Sequence, residues 1–176
     1  MRRLTTLLLA AALVAGLAAC KKPKRASAIA QEDAAAGMRS SVHAADPKAA
    51  VQFVRGFHEV EQNSWRWTSG KFAVTLRPPA TAAQKGATLV LEFALPDPII
   101  DKVKTTTLAA NVNGAAIDGE TYTKGGSYTY RKDVPASALQ GDAVGVDFAL
   151  NNFVKAGEID ARELGVIVSS VGLEAK

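Results

Sequence analysis

Residues 56–76 read GFHEVEQNSWRWTSGKFAVTL, and the second half of the stretch decides the fold. Phe72, Val74 and Leu76 alternate with smaller or polar residues, the period of a strand that lays one face on a core. Ahead of them stand both tryptophans of the chain, Trp65 and Trp67, one of its two histidines, His58, and the charged residues Glu59, Glu61 and Arg66. In an extended backbone Trp65 and Trp67 share a face and Arg66 takes the other. A rigid aromatic and charged cluster that opens a β-rich segment has the make-up of a binding surface rather than a reaction centre.

Downstream the same texture recurs. Thr88–Leu95, Thr107–Val112, Glu120–Thr123, Ser127–Arg131, Ala143–Leu150, Leu164–Ser169 and Val171–Leu173 are short alternating or apolar runs, bounded by Gly, Pro and Asn. Asn113-Gly114 is a two-residue hairpin signal and Gly125-Gly126 a second. Pro78-Pro79 and Pro96-Asp97-Pro98 fall between runs, where a missing N–H does least harm. Val134–Gln140 offers one turn of helix after Pro135, and no long amphipathic helix is legible. About eight strands in some 125 residues predict an all-β fold, a single antiparallel β-sandwich with its own core.

Upstream, Asp46-Pro47 reads as an N-cap followed by Pro at the first helical position, so the domain is taken as residues 46–176. Residues 20–45 read as a flexible tether. Lys21, Lys22, Lys24 and Arg25 crowd its start, and an Ala-, Ser- and Gln-rich stretch follows. Ile29–Val42 has the Ala content for a frayed helix without an apolar stripe. The basic cluster suits either a solvated spacer or attraction to anionic headgroups. Residues 1–19 are a secretory signal: Arg2 and Arg3, then an uncharged run from Leu4 to Ala19, too short for a stable span.

That run ends Leu17-Ala18-Ala19-Cys20, which resembles a bacterial lipobox. The resemblance implies cleavage before Cys20, lipid attached to its sulfur and an acylated amino terminus, hence membrane anchoring through lipid. Lys21 in place of the Asp that marks inner-membrane retention implies the outer membrane. Cys20 is the sole cysteine. It has no thiol to pair with and no cluster of metal ligands around it, so no disulfide, metal or cofactor is expected.

The sequence pI of about 9.3 misleads for the domain. Of 21 Lys and Arg, eight precede residue 51, leaving 21 − 8 = 13; of 17 acids, three do, leaving 17 − 3 = 14. The formal charge of residues 51–176 is 13 − 14 = −1, which excludes an electrostatic footprint for nucleic acid.

The chemistry available is thin. His43 lies in the tether, and no Ser sits in a Gly-x-Ser-x-Gly elbow, so nucleophilic catalysis has no candidate set. Glu59 and Glu61 at i, i+2 of an extended segment would face the same way, roughly 7 Å apart, a separation within reach of glycosidase pairs. Two such acids are otherwise simply a solvated face. Trp65, beside Asn63 and Ser64, is the candidate stacking platform, and Trp67 the candidate core residue. Arg66 is expected to pair with Glu61 and hold the loop that presents Trp65, or to touch ligand itself. Asn152, Asp160 and Arg162 lie on a polar loop before the last strand. Asp160 and Arg162 would interact with each other or with Glu61 and Arg66.

Gly56-Phe57, Glu61, Arg66-Trp67-Thr68, Ala73–Leu76, Val112-Asn113-Gly114, Phe153 and Asp160-x-Arg162-x-Leu164-Gly165 occur in that order. Together they resemble a jelly-roll, galactose-binding-like accessory domain of the kind found beside bacterial glycosyltransferases and other polysaccharide-handling proteins. The resemblance covers residues 56–173 and implies a non-catalytic sandwich in contact with carbohydrate, with Glu61, Trp65, Arg66, Asn152, Asp160 and Arg162 as the ligand-binding set. Such domains usually accompany a catalytic or membrane partner, and this chain carries only a lipid anchor. A glycan binder and a structural or assembly partner of an envelope protein complex are therefore both open.

Overall fold

The computed structural model describes residues 37–176, where the alternation becomes nine antiparallel strands. They are β1 (Ser41–His43), β2 (Phe53–Glu61), β3 (Trp65–Leu76), β4 (Ala87–Leu95), β5 (Thr106–Val112), β6 (Ala115–Tyr122), β7 (Gly126–Val134), β8 (Val144–Leu150) and β9 (Ile167–Ala175). Two short helices, α1 (Ala82–Lys85) and α2 (Asp97–Val103), and two 3-10 turns, Pro47–Gln52 and Ala136–Ala138, fill the connections. The all-β antiparallel sandwich read from the sequence is the observed fold. The expected signal peptide, Cys20 and the expected tether as far as residue 36 lie outside the described residues.

β3 explains how one hydrogen-bonded ladder makes two layers. Its second half, Lys71–Leu76, pairs with β8, while Arg66 and Trp67 at its start pair with Val168 and Ile167 of β9. β8 continues to β5 and β6, and β9 to β4 and β7. β2 follows β3 along its other side, and β1 lies on β9 at Ser170–Gly172. Only the β2–β3 and β5–β6 connections are hairpins; the others cross from one layer to the other, the jelly-roll manner of joining two sheets.

Between the layers each strand contributes its alternate residues. Leu89, Leu91, Phe93 and Leu95 from β4 meet Val144, Val146 and Phe148 from β8, with Tyr130 and Leu108 alongside, all buried. Phe72 stacks on its cross-strand partner Phe148 at 4.9 Å, and Phe57 and Phe53 extend this row edge to face. β2, an outer strand of the assembly, is bulged at three places, which twists its free edge away from chance pairing. Gly56 sits in one irregularity with φ +72, and a Cβ there would lie 2.1 Å from the Lys71 carbonyl oxygen.

Three expectations need correction. The tether does not run to residue 45: Ser41–His43 is already a strand, and Val42 and Ala44 are buried, because even three residues can complete the β9 edge. Asp46 does cap the turn at Pro47–Gln52, accepting from Lys48 N at 2.8 Å, but inside the domain rather than at its border. Gly125-Gly126 makes no hairpin, since β6 and β7 belong to opposite layers; Gly125 is instead pressed on Asp97, whose carboxylate would be 2.0 Å from a Cβ. Pro96-Asp97-Pro98 does fall between strands, at the start of α2, with Pro98 in the first turn, where its missing N–H costs nothing. Asn113-Gly114 is likewise the expected β5–β6 hairpin turn, both residues at positive φ (47 and 90).

Among the described residues no helix is long and apolar enough to cross a membrane.

Candidate functional site

The residues singled out from the sequence fall into two places. The first is an ion cluster at the turn of the β2–β3 hairpin. Arg162 donates from Nη1 to Glu61 Oε1 (2.8 Å), from Nε to Asp160 Oδ1 (3.1 Å) and from Nη2 to Asp160 Oδ2 (3.2 Å). Its own backbone N–H also bonds Asp160 Oδ1 at 2.8 Å. The Arg162 guanidinium and backbone N–H hold the Asp160 carboxyl down at about 2. Hydrogen bonds to both acids push Arg162 well above the ordinary arginine range.

The expected Glu61–Arg66 pair does not form. Strand alternation turns Arg66 away from the hairpin face, and its guanidinium donates to the carbonyls of Ala44 (2.8 Å) and His58 (3.0 Å) while covering the Phe53 ring at 5.4 Å. Arg66 is thus a clamp joining β3 to the residue after β1. Glu61 takes Arg162 instead, a partner about a hundred residues later and one of the alternatives expected for the polar loop. Glu59 is exposed and makes no ion pair among the described residues, and a register shift interrupts β2 between Phe57 and Val60. Glu61 is thus taken up by Arg162, while Glu59 is left to solvent.

Asn152 also stands apart from the cluster. Its amide donates to Thr105 O at 2.9 Å and its carbonyl accepts from Thr106 Oγ1 at 2.7 Å, so it ties the loop after β8 to the start of β5. The rest of that loop is laid on β3. Glu163 Oε1 accepts from Gly70 N (2.8 Å), Gly165 N donates to Thr68 O (2.6 Å), and Val166 N donates to Thr68 Oγ1 (3.1 Å). Gly165 is required by that approach: a Cβ would lie 2.7 Å from Ser69 O, Thr68 Oγ1 and Leu150 Cδ1. The Asp160–Gly165 segment acts as a strap.

The second place is a groove of about 380 Å³ on the outer face of the β7–β4–β9 layer, with Trp65 at its side. Glu92 and Ala94 of β4 form its floor, Ser127, Tyr128 and Thr129 of β7 one wall, and Ile167 and Ser169 of β9 the other. Glu92 and Ala94 face outward because Leu91, Phe93 and Leu95 face in. Ala94 is small, and Ser127 and Ile167 are its cross-strand neighbours, so this face sinks beside the indole. Tyr128 donates its hydroxyl to Lys124 O at 2.8 Å and packs its ring on Phe93.

Both tryptophans are half-buried, and they differ in what lies beneath. Trp67 packs against the hydrophobic core, whereas Trp65 lies outside that cluster and lines the groove. The Trp65 Nε1–H is buried without an acceptor. What the indole offers outward is its carbon surface, not its N–H.

The groove residues other than Trp65 were not singled out from the sequence. Alternation in Thr88–Leu95 marks Glu92 as outward, but the pairing of β4 with β7 and β9 that joins it to Tyr128 and Ser169 has no local signal. Among the described residues no group of three or more His, Cys, Asp or Glu is placed to hold a metal ion.

No family model matches the chain. No curated protein matches it either. Among solved structures it is similar to an exo-β-1,3-galactanase from Phanerochaete chrysosporium, crystallised with β-1,3-galactotriose, at 10% identity and a TM-score of 0.40. The likeness covers 77% of this chain, which spans 29% of the length of that enzyme chain.

Proposed function

We propose that the chain is a non-catalytic bacterial envelope lipoprotein, anchored through Cys20 to the outer membrane, whose sandwich binds glycan in the Trp65 groove. The observation that carries the reading is the position of Trp65: an indole off the core, with its carbon surface beside a shallow cleft lined by Glu92, Ser127, Thr129 and Ser169. A pyranose has apolar C–H faces and an equatorial rim of hydroxyls. An aromatic face next to carboxylate and hydroxyl groups complements both. The anchor rests on Leu17-Ala18-Ala19-Cys20, and the non-catalytic reading on Glu61 being taken up by Arg162.

This moves the expected ligand site. Of the six residues read from the sequence, Trp65 stays; Glu61, Asp160 and Arg162 become the brace of the hairpin turn, Arg66 a clamp, and Asn152 a loop tie. A glycan array probed with the purified protein tests the reading, with Trp65→Ala as control. Binding that Trp65→Ala abolishes at unchanged fold supports it; no binding, or binding indifferent to Trp65, refutes it.

A second reading, an assembly partner of an envelope complex, is favoured by one observation. Val51 in the Pro47–Gln52 turn and Val54 at the start of β2 are 88% and 58% exposed, an unusual pair of apolar side chains beside an outer strand. Photo-crosslinking from residue 54 in intact cells tests it: a discrete heteromeric product supports it, and none excludes it.

A further inference from the structure

Resting on the glycan reading, we propose that the Trp65 groove is one half of a longer cleft, and that its ligand is a linear, uncharged glycan bound along its length rather than a terminal sugar. The outer face holds a second depression of about 260 Å³, lined by Ser41, Val90, Glu92, Ser170, Gly172 and Glu174. Glu92 lines both depressions, so they adjoin. Together they run diagonally from β7 to β1.

Each element of the second depression has a physical cause. Val90 continues the outward row of β4 two residues before Glu92. Gly172 is where β1 crosses close: a Cβ would lie 2.8 Å from Ser41 Cβ and Oγ, so the face stays low there. A register shift at Glu92–Phe93 puts two serines of β9 opposite one residue of β4. Ser170 Oγ donates to Glu92 Oε2 (2.6 Å) and Ser169 Oγ to the Glu92 carbonyl (3.2 Å). Those bonds orient the Glu92 carboxylate at the junction and leave Oε1 without a partner among the described residues. From Ala94 to Val90 the floor extends about 13 Å at strand rise, more than one pyranose ring.

Charge selects the class of chain. Neither depression is lined by Lys or Arg, and Glu92 stands where they meet. Glu174, which lines the second depression, has both oxygens engaged by the Arg131 guanidinium (2.6 and 3.3 Å). A uronate or phosphate-bearing chain would bring its charge beside an unneutralised carboxylate. A neutral chain supplies hydroxyl donors for Glu92 and the serines.

The test is calorimetric titration of the purified full chain, in detergent, with neutral gluco-, galacto- and manno-oligosaccharides of two to six residues and with matching oligouronates. The expected result is affinity that rises at least tenfold between two and four residues and then levels, with oligouronates at least tenfold weaker. Val90→Trp, which fills the second depression, should remove the gain in affinity with chain length. Val90→Phe is the milder filler if the Trp variant unfolds. Length-independent binding, a Val90 variant that binds every chain like the parent, or uronates that bind as well as neutral chains would overturn the extended cleft and leave the Trp65 reading standing. No binding by any oligosaccharide would remove both.

Discussion

Replacing Trp65 by Phe should leave the protein as stable as it was, or make it more stable. Indole to phenyl gives up roughly 50 Å² of the 150–250 Å² that aromatic side chains bury. At ~25 cal/mol/Å² that costs about 1 kcal/mol if all of it was covered. The same change deletes a buried N–H that has no acceptor, and an unpaired buried donor costs ~1–3 kcal/mol. The balance lies between no change and about 2 kcal/mol of stabilisation. Trp67→Phe loses comparable area from a side chain packed on the core, with no orphaned donor to remove. It should cost about 1 kcal/mol or more, because a void is left against the core. Urea unfolding followed by far-UV circular dichroism reads both as midpoint shifts at constant slope. A loss beyond about 1 kcal/mol for Trp65→Phe, matching Trp67→Phe, would mean that the Trp65 N–H has an acceptor, and the reasoning about that indole would fail.

Three other outcomes are expected. Gly56→Ala should destabilise by more than ~2 kcal/mol, since the left-handed backbone alone costs ~1–2 kcal/mol and the new Cβ meets the Lys71 carbonyl; a smaller shift of the urea midpoint would contradict this. Asp160, held down at about 2, contributes stability above the ordinary aspartate range near pH 4, and that contribution is lost as pH falls through its folded value. The gap in melting temperature between the parent and Asp160→Asn should therefore be constant above about pH 5 and close towards pH 2; a gap that persists at pH 2 would assign it to packing. Cys20→Ala should leave the chain without lipid, retained as precursor or released, as membrane partition after a salt wash and mass spectrometry would show; stable partition of a cleaved, lipid-free chain would overturn the anchor.

The layers of the sandwich were legible because each buried strand writes its own period: Phe72, Val74 and Leu76 in β3, and Leu89 through Leu95 in β4. β2 was not read as a strand, because its bulges break the alternation that would have announced it. β1 was hidden by length, three residues being too few to carry a period in an Ala- and Ser-rich stretch. At the site, Trp65 and the Asp160–Arg162 pair were visible as local chemistry. The polar loop also offered Glu61 to Arg162 as one alternative, and that contact forms, whereas the nearer Glu61–Arg66 pair does not. Glu92 adjoins Tyr128 and Ser169 only through pairings that the assembled sheets create. Gly165 belongs to the same lesson: the sequence marks a glycine, and the reason for it is a strand almost a hundred residues earlier.

The most direct measurement of the central claim is nuclear magnetic resonance titration of the isotopically labelled protein with a neutral tetrasaccharide identified on the array. The account predicts that the indole resonances of Trp65 shift and saturate together with backbone amides of Glu92, Ser127 and Ser169, while the Trp67 indole and the Arg162 side chain stay in place. Shifts centred on Arg162, Asp160 and Glu61, with Trp65 unmoved, would contradict it and return the ligand to the hairpin turn.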